Sequence, residues 1–298
     1  MDINWIAVDW GTSNLRAWAM GPHGPLAEAV SDDGMGKLTP DAFEPALLRL
    51  IAPWLTAPVT PVLACGMVGA RQGWREAPYR AVPCTPVDAQ GILHVPTNDP
   101  RLTFHIAPGL SQDRPADVMR GEETQVAGVL ALHKGFDGVI CHPGTHSKWV
   151  QVSAGEVVSF QTCMTGELFA LLSTQSVLRH GMAEGWDDAA FDSGVADALQ
   201  SPEKFASRLF SLRAEFLLHG LTQAQARARL SGLLIGLELA GSKPYWLGQR
   251  VILVGAPALA ANYGRALAAQ GLSPETLDAT ACTLAGLSSL YTQMKAAK

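Results

Sequence analysis

The sequence predicts an α/β chain built as two related lobes, on three observations. A strand–Gly-Thr–strand–turn–strand pattern occurs near the start and returns about 130 residues later, with Gly11-Thr12 answered by Gly144-Thr145. Segments with helical apolar spacing follow both copies, so strands and helices alternate along one chain. The 298 residues, 48% of them hydrophobic, suffice for one large domain or two of about 150 residues each. A repeat period this long excludes a solenoid and fits two lobes that share an ancestor.

The elements follow in order. Residues 5–9 are a short apolar run of β-formers, 11–14 a turn, 15–20 a second strand, 21–24 a turn and 25–30 a third strand. A helix is expected to start with Thr39 as N-cap, Pro40 at the first helical position and Asp41 in the first turn. Phe43, Leu47, Leu48, Leu50 and Ile51 keep helical spacing, and Pro53 ends the run. Residues 61–68 and 102–107 read as buried strands, the first leading into a Gly-rich polar loop at 69–74. Residues 117–134 are expected to form a helix crossing between the lobes, which gives lobes 1–134 and 135–298. The second copy then supplies strands at 138–142, 148–152 and 157–161. Helices are expected at 166–179, 202–218 and 223–240, a strand at 250–254, a helix through Leu267, and a last small-residue helix at 279–294 that packs tightly.

Charge narrows the partners. The chain has 22 basic and 27 acidic residues, a net charge of −5, and no basic block. Nucleic acid and anionic membranes need clustered Lys and Arg, so neither is an expected partner. No apolar run approaches the roughly 18 residues that span a bilayer. The N-terminal run has no basic stretch before it and is interrupted by Asp2 and Asp9, unlike a signal peptide. Cys65, Cys84, Cys141, Cys163 and Cys282 are odd in number and scattered, which suits reduced thiols in a cytoplasmic protein. The low charged fraction, 16%, suits a chain with much interior or one that buries surface in a homodimer.

Three loops carry chemistry. In Asp9-Trp10-Gly11-Thr12-Ser13-Asn14 an aspartate ends a buried strand, a glycine admits close approach, and hydroxyls and backbone N–H groups follow. Those donors suit a phosphate, and the carboxylate beside them suits Mg²⁺ held through water; a plain polar hairpin turn is the alternative. Pro143-Gly144-Thr145-His146-Ser147-Lys148 repeats the small and hydroxyl residues and adds a cation. Two such loops, each at a strand end, suit a grip on the β- and γ-phosphates of one nucleotide. Gly255-Ala256-Pro257 joins a strand to a helix, where a flat ring meets backbone or where the chain simply turns. Cys141, His142 and His146 straddle a Pro-Gly turn with no second pair nearby in sequence, which argues against a zinc site. No Walker-type loop or Gly-x-Ser-x-Gly elbow occurs.

The order of these features resembles the sugar kinase, chaperone ATPase and actin superfamily. The segments 7–18, 67–78, 119–125, 143–149 and 165–172 resemble, more narrowly, the 2-dehydro-3-deoxygalactonokinases, over nearly the full length. Ser13 stands where that family suggests Thr, and Ala256 where it suggests Ser. The resemblance implies a two-lobe actin-like (ribonuclease H-like) fold with a nucleotide cleft. It also implies phosphorylation of 2-dehydro-3-deoxy-D-galactonate at its 6-hydroxyl by ATP with Mg²⁺, in galactonate catabolism. Kinases for another sugar or sugar acid, and an ATP-switched interaction protein, are the alternatives.

Site roles follow from that resemblance and from charge. Asp9 is the Mg²⁺-side carboxylate, while Gly11, Thr12, Ser13, Gly144, Thr145 and His146 line the phosphates and Gly255 and Ala256 the adenosine. Arg16 adds charge if it turns to the cleft and is otherwise a surface strand arginine. Glycerol-type kinases place a Gly-Asp pair at the start of a comparable helix, with the aspartate as base; Gly121-Glu122 matches it. Glu122 is preferred over Glu123 because neighbouring helical residues point about 100° apart and one alone faces the hydroxyl. Both carboxylates otherwise simply complement the helix dipole. For the anionic sugar acid, Arg71 is the leading cation, with Arg75 and Arg80 as rivals. Gln72 suits hydroxyls, Trp74 the apolar carbon face, and Glu167 either sugar hydroxyls or a helix N-terminus.

Overall fold

The structure is a computed structural model that describes residues 2–297. In the first half, β1 (Trp5–Trp10), β2 (Leu15–Gly21) and β3 (Gly24–Ser31) lead to α1 (Phe43–Ile51) and β4 (Thr60–Gly66). Next come β5 (Tyr79–Ala81), β6 (Leu93–Val95), β7 (Leu102–Ile106), β8 (Gly109–Gln112), β9 (Asp117–Met119) and α2 (Glu122–Leu132). The second half opens with β10 (Gly138–His142), β11 (Ser147–Ser153) and β12 (Glu156–Cys163). It continues with α3 (Thr165–Thr174), α4 (Asp188–Gln200), α5 (Phe205–Leu218), α6 (Gln223–Gly241) and α7 (Lys243–Trp246). Then follow β13 (Val251–Val254), α8 (Pro257–Ala268), β14 (Glu275–Leu277) and α9 (Ala279–Ala296).

The chain forms two compact units. The first comprises the residues up to 137 together with 152–159 and those from 279 on; the second comprises 138–151 and 160–278. The division expected at 134 and 135 therefore assigns the final helix to the wrong half. The reason is a backbone contact. A Cβ on Gly128 of α2 would lie 1.8 Å from the Cys282 carbonyl oxygen, and one on Gly286 of α9 would lie 1.8 Å from that of Thr124. Two helices that touch at glycines bury backbone against backbone, and α9 is held in the first unit. The helix expected to cross between lobes belongs wholly to that unit, and its first residues form strand β9 instead.

In the first unit the main sheet has the order β3-β2-β1-β4-β7-β6. β1 is antiparallel to β2 and parallel to β4, and β4 is parallel to β7. Alternation along β1 puts Ile6, Val8 and Trp10 into a core with Phe43, Leu47 and Ile51 of α1. Trp5 and Ala7 point the other way, into a cluster with Ala127 of α2 and Leu287 and Leu290 of α9. Asp9 is next in that second series. A smaller sheet, β5-β8-β9, completes the unit. Helix α1 starts at Phe43 rather than Pro40: Ala42 N–H donates to the Thr39 carbonyl at 2.9 Å in a turn that precedes the helix, and Ala42 stands at its N-cap.

In the second unit the sheet order is β12-β11-β10-β13-β14, with β13 parallel to both β10 and β14. Strand for strand this repeats β3-β2-β1-β4-β7, so the duplication extends past the hairpins to the parallel strands. Helix α6 begins with a reciprocal cap: Thr222 Oγ1 accepts from Gln225 N–H, and Gln225 Oε1 accepts from Thr222 N–H. Helix α4 packs along α6 through Gly194, Gly232 and Gly236; a Cβ on Gly232 would lie 2.1 Å from the Phe191 carbonyl oxygen. Helix α4 is not among the expected helices; Gly194 at its centre lies against Arg229 and Leu233 of α6, so contact with α6 is what makes a glycine useful there. Among the described residues, no helix is long and apolar enough to cross a membrane.

Glycine at these crossings is a packing requirement. Gly286→Ala should cost about 1–3 kcal/mol of unfolding free energy in urea, because one of the two helices must move. Gly264→Ala is the control. Its nearest neighbour is Leu253 Cδ1 at 3.8 Å, so the alanine should stabilise α8 by about 0.5–1 kcal/mol.

Candidate functional site

In the first unit the site is built on the end of β1. The turn after it closes by Gly11 N–H donating to the Asn14 carbonyl at 2.9 Å, leaving Thr12 and Ser13 exposed. A second segment braces that turn from below: Met35 N–H donates to Gly11 and Gly36 N–H to Thr12, both at 2.9 Å. The approach is so close that a Cβ on Gly34 would lie 2.2 Å from the Ser13 carbonyl carbon. Residues 34–36 are thus part of the site's support. Their Gly-Met-Gly pattern is the sequence signal that could have marked them.

Asp9 sits opposite Arg16 in the antiparallel register, and the Arg16 guanidinium bonds to its Oδ2. Arg16 also donates to Thr280 Oγ1 at 3.3 Å and lies over the Trp18 ring. Arg16 is thus a strand arginine paired with the neighbouring carboxylate. Asp9 Oδ1 faces Gly66, whose own φ of +92° places it against the Trp10 carbonyl. Gly121, at φ +110°, would bring a Cβ to 3.3 Å from the Gly66 Cα. The end of β1, the end of β4 and the start of α2 therefore meet as bare backbone.

The two glutamates at the start of α2 have different surroundings. Glu123 is fully buried and accepts from Gly121 N–H at 2.6 Å and from Thr124 Oγ1 at 3.1 Å. Burial, reinforced by the Glu122 charge, raises its pKa to about 8. Glu122 is half-buried, and its Oε2 accepts from Arg120 N–H at 3.2 Å. Cys65, in register with Asp9, is buried and its pKa is raised by burial and by the charges of Asp9 and Glu123.

The loop at 71–74 divides. Arg71 is 80% exposed and meets Glu76 Oε1 at 3.4 Å, and Gln72 is exposed. Trp74 lies instead in the core: its ring centroid is 4.5 Å from that of Phe104, and it also contacts Trp10 and Phe43. Its indole packs the strand layer and is not free to cover a ligand face. Arg75 is exposed, and Arg80 is committed to Thr85 and Asp88. Beneath this loop lies a cation that residue order did not mark. Arg120 is buried, donates to the Ala77 carbonyl at 2.8 Å and lies 4.3 Å from the Tyr79 ring centroid.

In the second unit the Gly144-Thr145 turn is pressed onto the start of α3. A Cβ on Gly166 would lie 2.4 Å from the Gly144 carbonyl oxygen, and Glu167 N–H donates to the Thr145 carbonyl at 3.0 Å. The Glu167 carboxylate pairs with His146 Nε2 at 2.5 Å, so Glu167 is engaged at this turn. Lys148 is buried and donates to the His146 carbonyl. Gly255 approaches Pro143, and Ala256 precedes α8 without a side-chain cap. Beside the turn opens a cavity of about 650 Å³, with Thr145, Gly166, Phe169, Arg227, Ala258 and Asn262 in its wall. The Arg227 guanidinium lies 5.0 Å from the Phe169 ring centroid. Size and mixed lining suit a flat heteroaromatic ligand with its anionic end at the Gly-Thr turn.

Known proteins similar to this chain share one family name. A model of the 2-keto-3-deoxy-galactonokinase family matches residues 9–290. A protein of Rhizobium meliloti (strain 1021) named "Probable 2-dehydro-3-deoxygalactonokinase DgoK1" is 41% identical over 293 residues, 95% of each chain. The 2-dehydro-3-deoxygalactonokinase of Escherichia coli (strain K12) is 36% identical over 295 residues, covering 97% of this chain and 98% of that one. A crystal structure described as that of "a putative 2-dehydro-3-deoxygalactonokinase protein from Sinorhizobium meliloti" superposes with a TM-score of 0.90 at 41% identity, covering 96% of this chain and 97% of that one.

The buried Glu123 makes stability depend on pH. Folded, it keeps its proton up to about pH 8; unfolded, it ionises near 4.5. Between those values the unfolded chain alone loses the proton, so the fold is weakened as pH rises and the loss is complete above the upper value. Glu123→Gln should remove that slope. In urea titrations the variant should gain on the wild type steadily from about pH 5 to about pH 8.

Proposed function

The chain belongs to the 2-keto-3-deoxy-galactonokinase family, and from that premise we propose a mechanism for phosphorylation of 2-dehydro-3-deoxy-D-galactonate by ATP. The product is the 6-phosphate, and the setting is galactonate catabolism in the cytoplasm, where ATP is at hand. The observation that carries the nucleotide half is the cavity beside Gly144-Thr145, large enough for a base and open to a turn of small residues. Phosphoryl transfer asks a protein chiefly to position groups and to neutralise charge. Thr145 and the backbone of Gly144 offer phosphate donors in the second unit, and Gly11, Thr12 and Ser13 offer them in the first. His146, held by Glu167, adds a donor at the same turn. Gly255 and Ala256 bring α8 to the adenosine side of the cavity.

Asp9 fits a magnesium ion. Mg²⁺ is typically held by one or two carboxylates together with phosphate oxygens. Arg16 takes one oxygen of Asp9 and fixes the side chain, which leaves the other for the ion's hydration shell. When bound, the ion neutralises phosphate charge. The chain's own part is to hold Asp9 at the end of β1, next to the exposed hydroxyls of Thr12 and Ser13.

Glu122 is the base for the attacking hydroxyl. Its half-exposed position at the first residue of α2 supports this, as does the commitment of Glu123 to Gly121 and Thr124 inside the unit. Arg71 receives the substrate carboxylate: its exposure and its single weak ion pair leave it free to exchange partners. Gln72 beside it serves hydroxyls.

ADP release measured over a panel of sugar acids should show turnover with 2-dehydro-3-deoxygalactonate and little with neutral hexoses; no turnover with any sugar acid refutes the assignment. Glu122→Gln should lower kcat by about 100-fold or more while ATP binding is kept. The same loss in Glu123→Gln, with Glu122→Gln active, would transfer the role. Gly166→Ala should displace the Thr145 turn and cost about 100-fold in kcat/KM for ATP, with the fold retained by circular dichroism.

A further inference from the structure

We propose, on the assignment of this cavity to ATP, that Glu238 is a positioning residue: one buried carboxyl that ties together the segments forming the nucleotide site. Glu238 lies inside α6 and is 5% exposed. Its Oε1 accepts from Trp149 Nε1 at 2.8 Å. Its Oε2 accepts from Tyr263 OH at 2.7 Å and from Thr165 Oγ1. Tyr263 OH in turn lies 2.8 Å from Ser147 Oγ.

Each partner leads to the site. Ser147 and Trp149 belong to β11, directly after the Gly144-Thr145 turn. Thr165 begins α3 and is followed by Gly166, the residue pressed against Gly144. Tyr263 lies in α8, and both Thr165 and Tyr263 line the cavity. One side chain therefore fixes the phosphate-side turn, the helix beneath it and the adenosine-side helix to the same point on α6.

Stability alone does not account for a carboxyl here. Removing an acid from water is costly, and a well-packed apolar residue of similar size often serves the fold as well. An apolar side chain cannot direct three donors from three elements. Direction is what the site requires, because a shift of about 1 Å in a positioned group costs catalysis severely. Burial holds the Glu238 pKa above its ordinary value while the three donors oppose that shift.

The test is a kinetic split in the full-length enzyme. Glu238→Leu should raise KM for ATP by about tenfold or more and leave KM for the sugar acid within about twofold. Glu238→Gln keeps an acceptor for Trp149 and offers N–H groups to hydroxyls that can reverse, so it should restore most of the ATP affinity. Tyr263→Phe and Thr165→Val each remove one tie and should raise KM for ATP by about threefold. If Glu238→Leu does not fold, those two variants carry the test alone. An unchanged KM for ATP in all the folded variants overturns the proposal, as does an equal rise in both KM values. Wild-type enzyme that turns over the sugar acid with ATP, but whose hydrogen-exchange protection at 165–169 and 258–262 is unchanged by a bound ATP analogue, overturns the cavity assignment instead.

Discussion

The structure depends on a steric constraint: the segments proposed to carry the chemistry touch other segments as backbone, where no Cβ fits. Gly34 lies against Thr12 and Ser13, Gly66 against Trp10, Gly121 against Gly66, and Gly166 against Gly144. The crossings α2–α9 and α4–α6 are made the same way. Peptide groups are rigid and their positions are set by the elements they join, whereas side chains rotate. Loops braced by backbone hold their N–H and hydroxyl groups in place before a ligand arrives. Such preorganisation is what an anion site needs.

Charge is distributed to match. The chain is acidic, with a net charge of −5, yet several of its cations are committed inside it. Arg16 holds Asp9, Arg120 supports the loop that carries Arg71, and Lys148 donates to the His146 carbonyl. Buried acids act as internal fasteners: Glu123 ties Gly121 to α2, and Glu238 joins three elements of the second unit. Arg71, by contrast, is exposed and weakly paired. Cations used for architecture and a cation exposed to solvent are thus distinguished by burial, a property residue order does not report.

Much of the fold was legible because its signals are local. β10 runs over the very residues expected, and α6 begins at the expected Gln223. The recurrence of Gly-Thr after a buried strand disclosed the duplication that the two sheet orders repeat. Other features were illegible for equally physical reasons. Trp74 sits in a polar Gly-rich loop, so its aromatic ring reads as ligand-facing, but a tryptophan brought near Trp10, Phe43 and Phe104 buries more surface in the core. Thr39 looks like a cap, but its carbonyl closes a turn with Ala42 N–H that ends before α1 begins.

The strands and most helices, the duplicated hairpin, the acidic character and the family are legible in residue order, because each is written in short-range pattern or in ordered motifs. Only the tertiary structure decided the rest. It put α9 on α2, gave two adjacent glutamates different surroundings, and gathered Trp149, Thr165 and Tyr263 onto Glu238 from positions far apart in the chain. Periodicity reports which face of an element is apolar; it carries no information on which distant element covers that face. Burial and hydrogen-bond partnership arise only at that covering, so the chemical role of a polar side chain is fixed there as well.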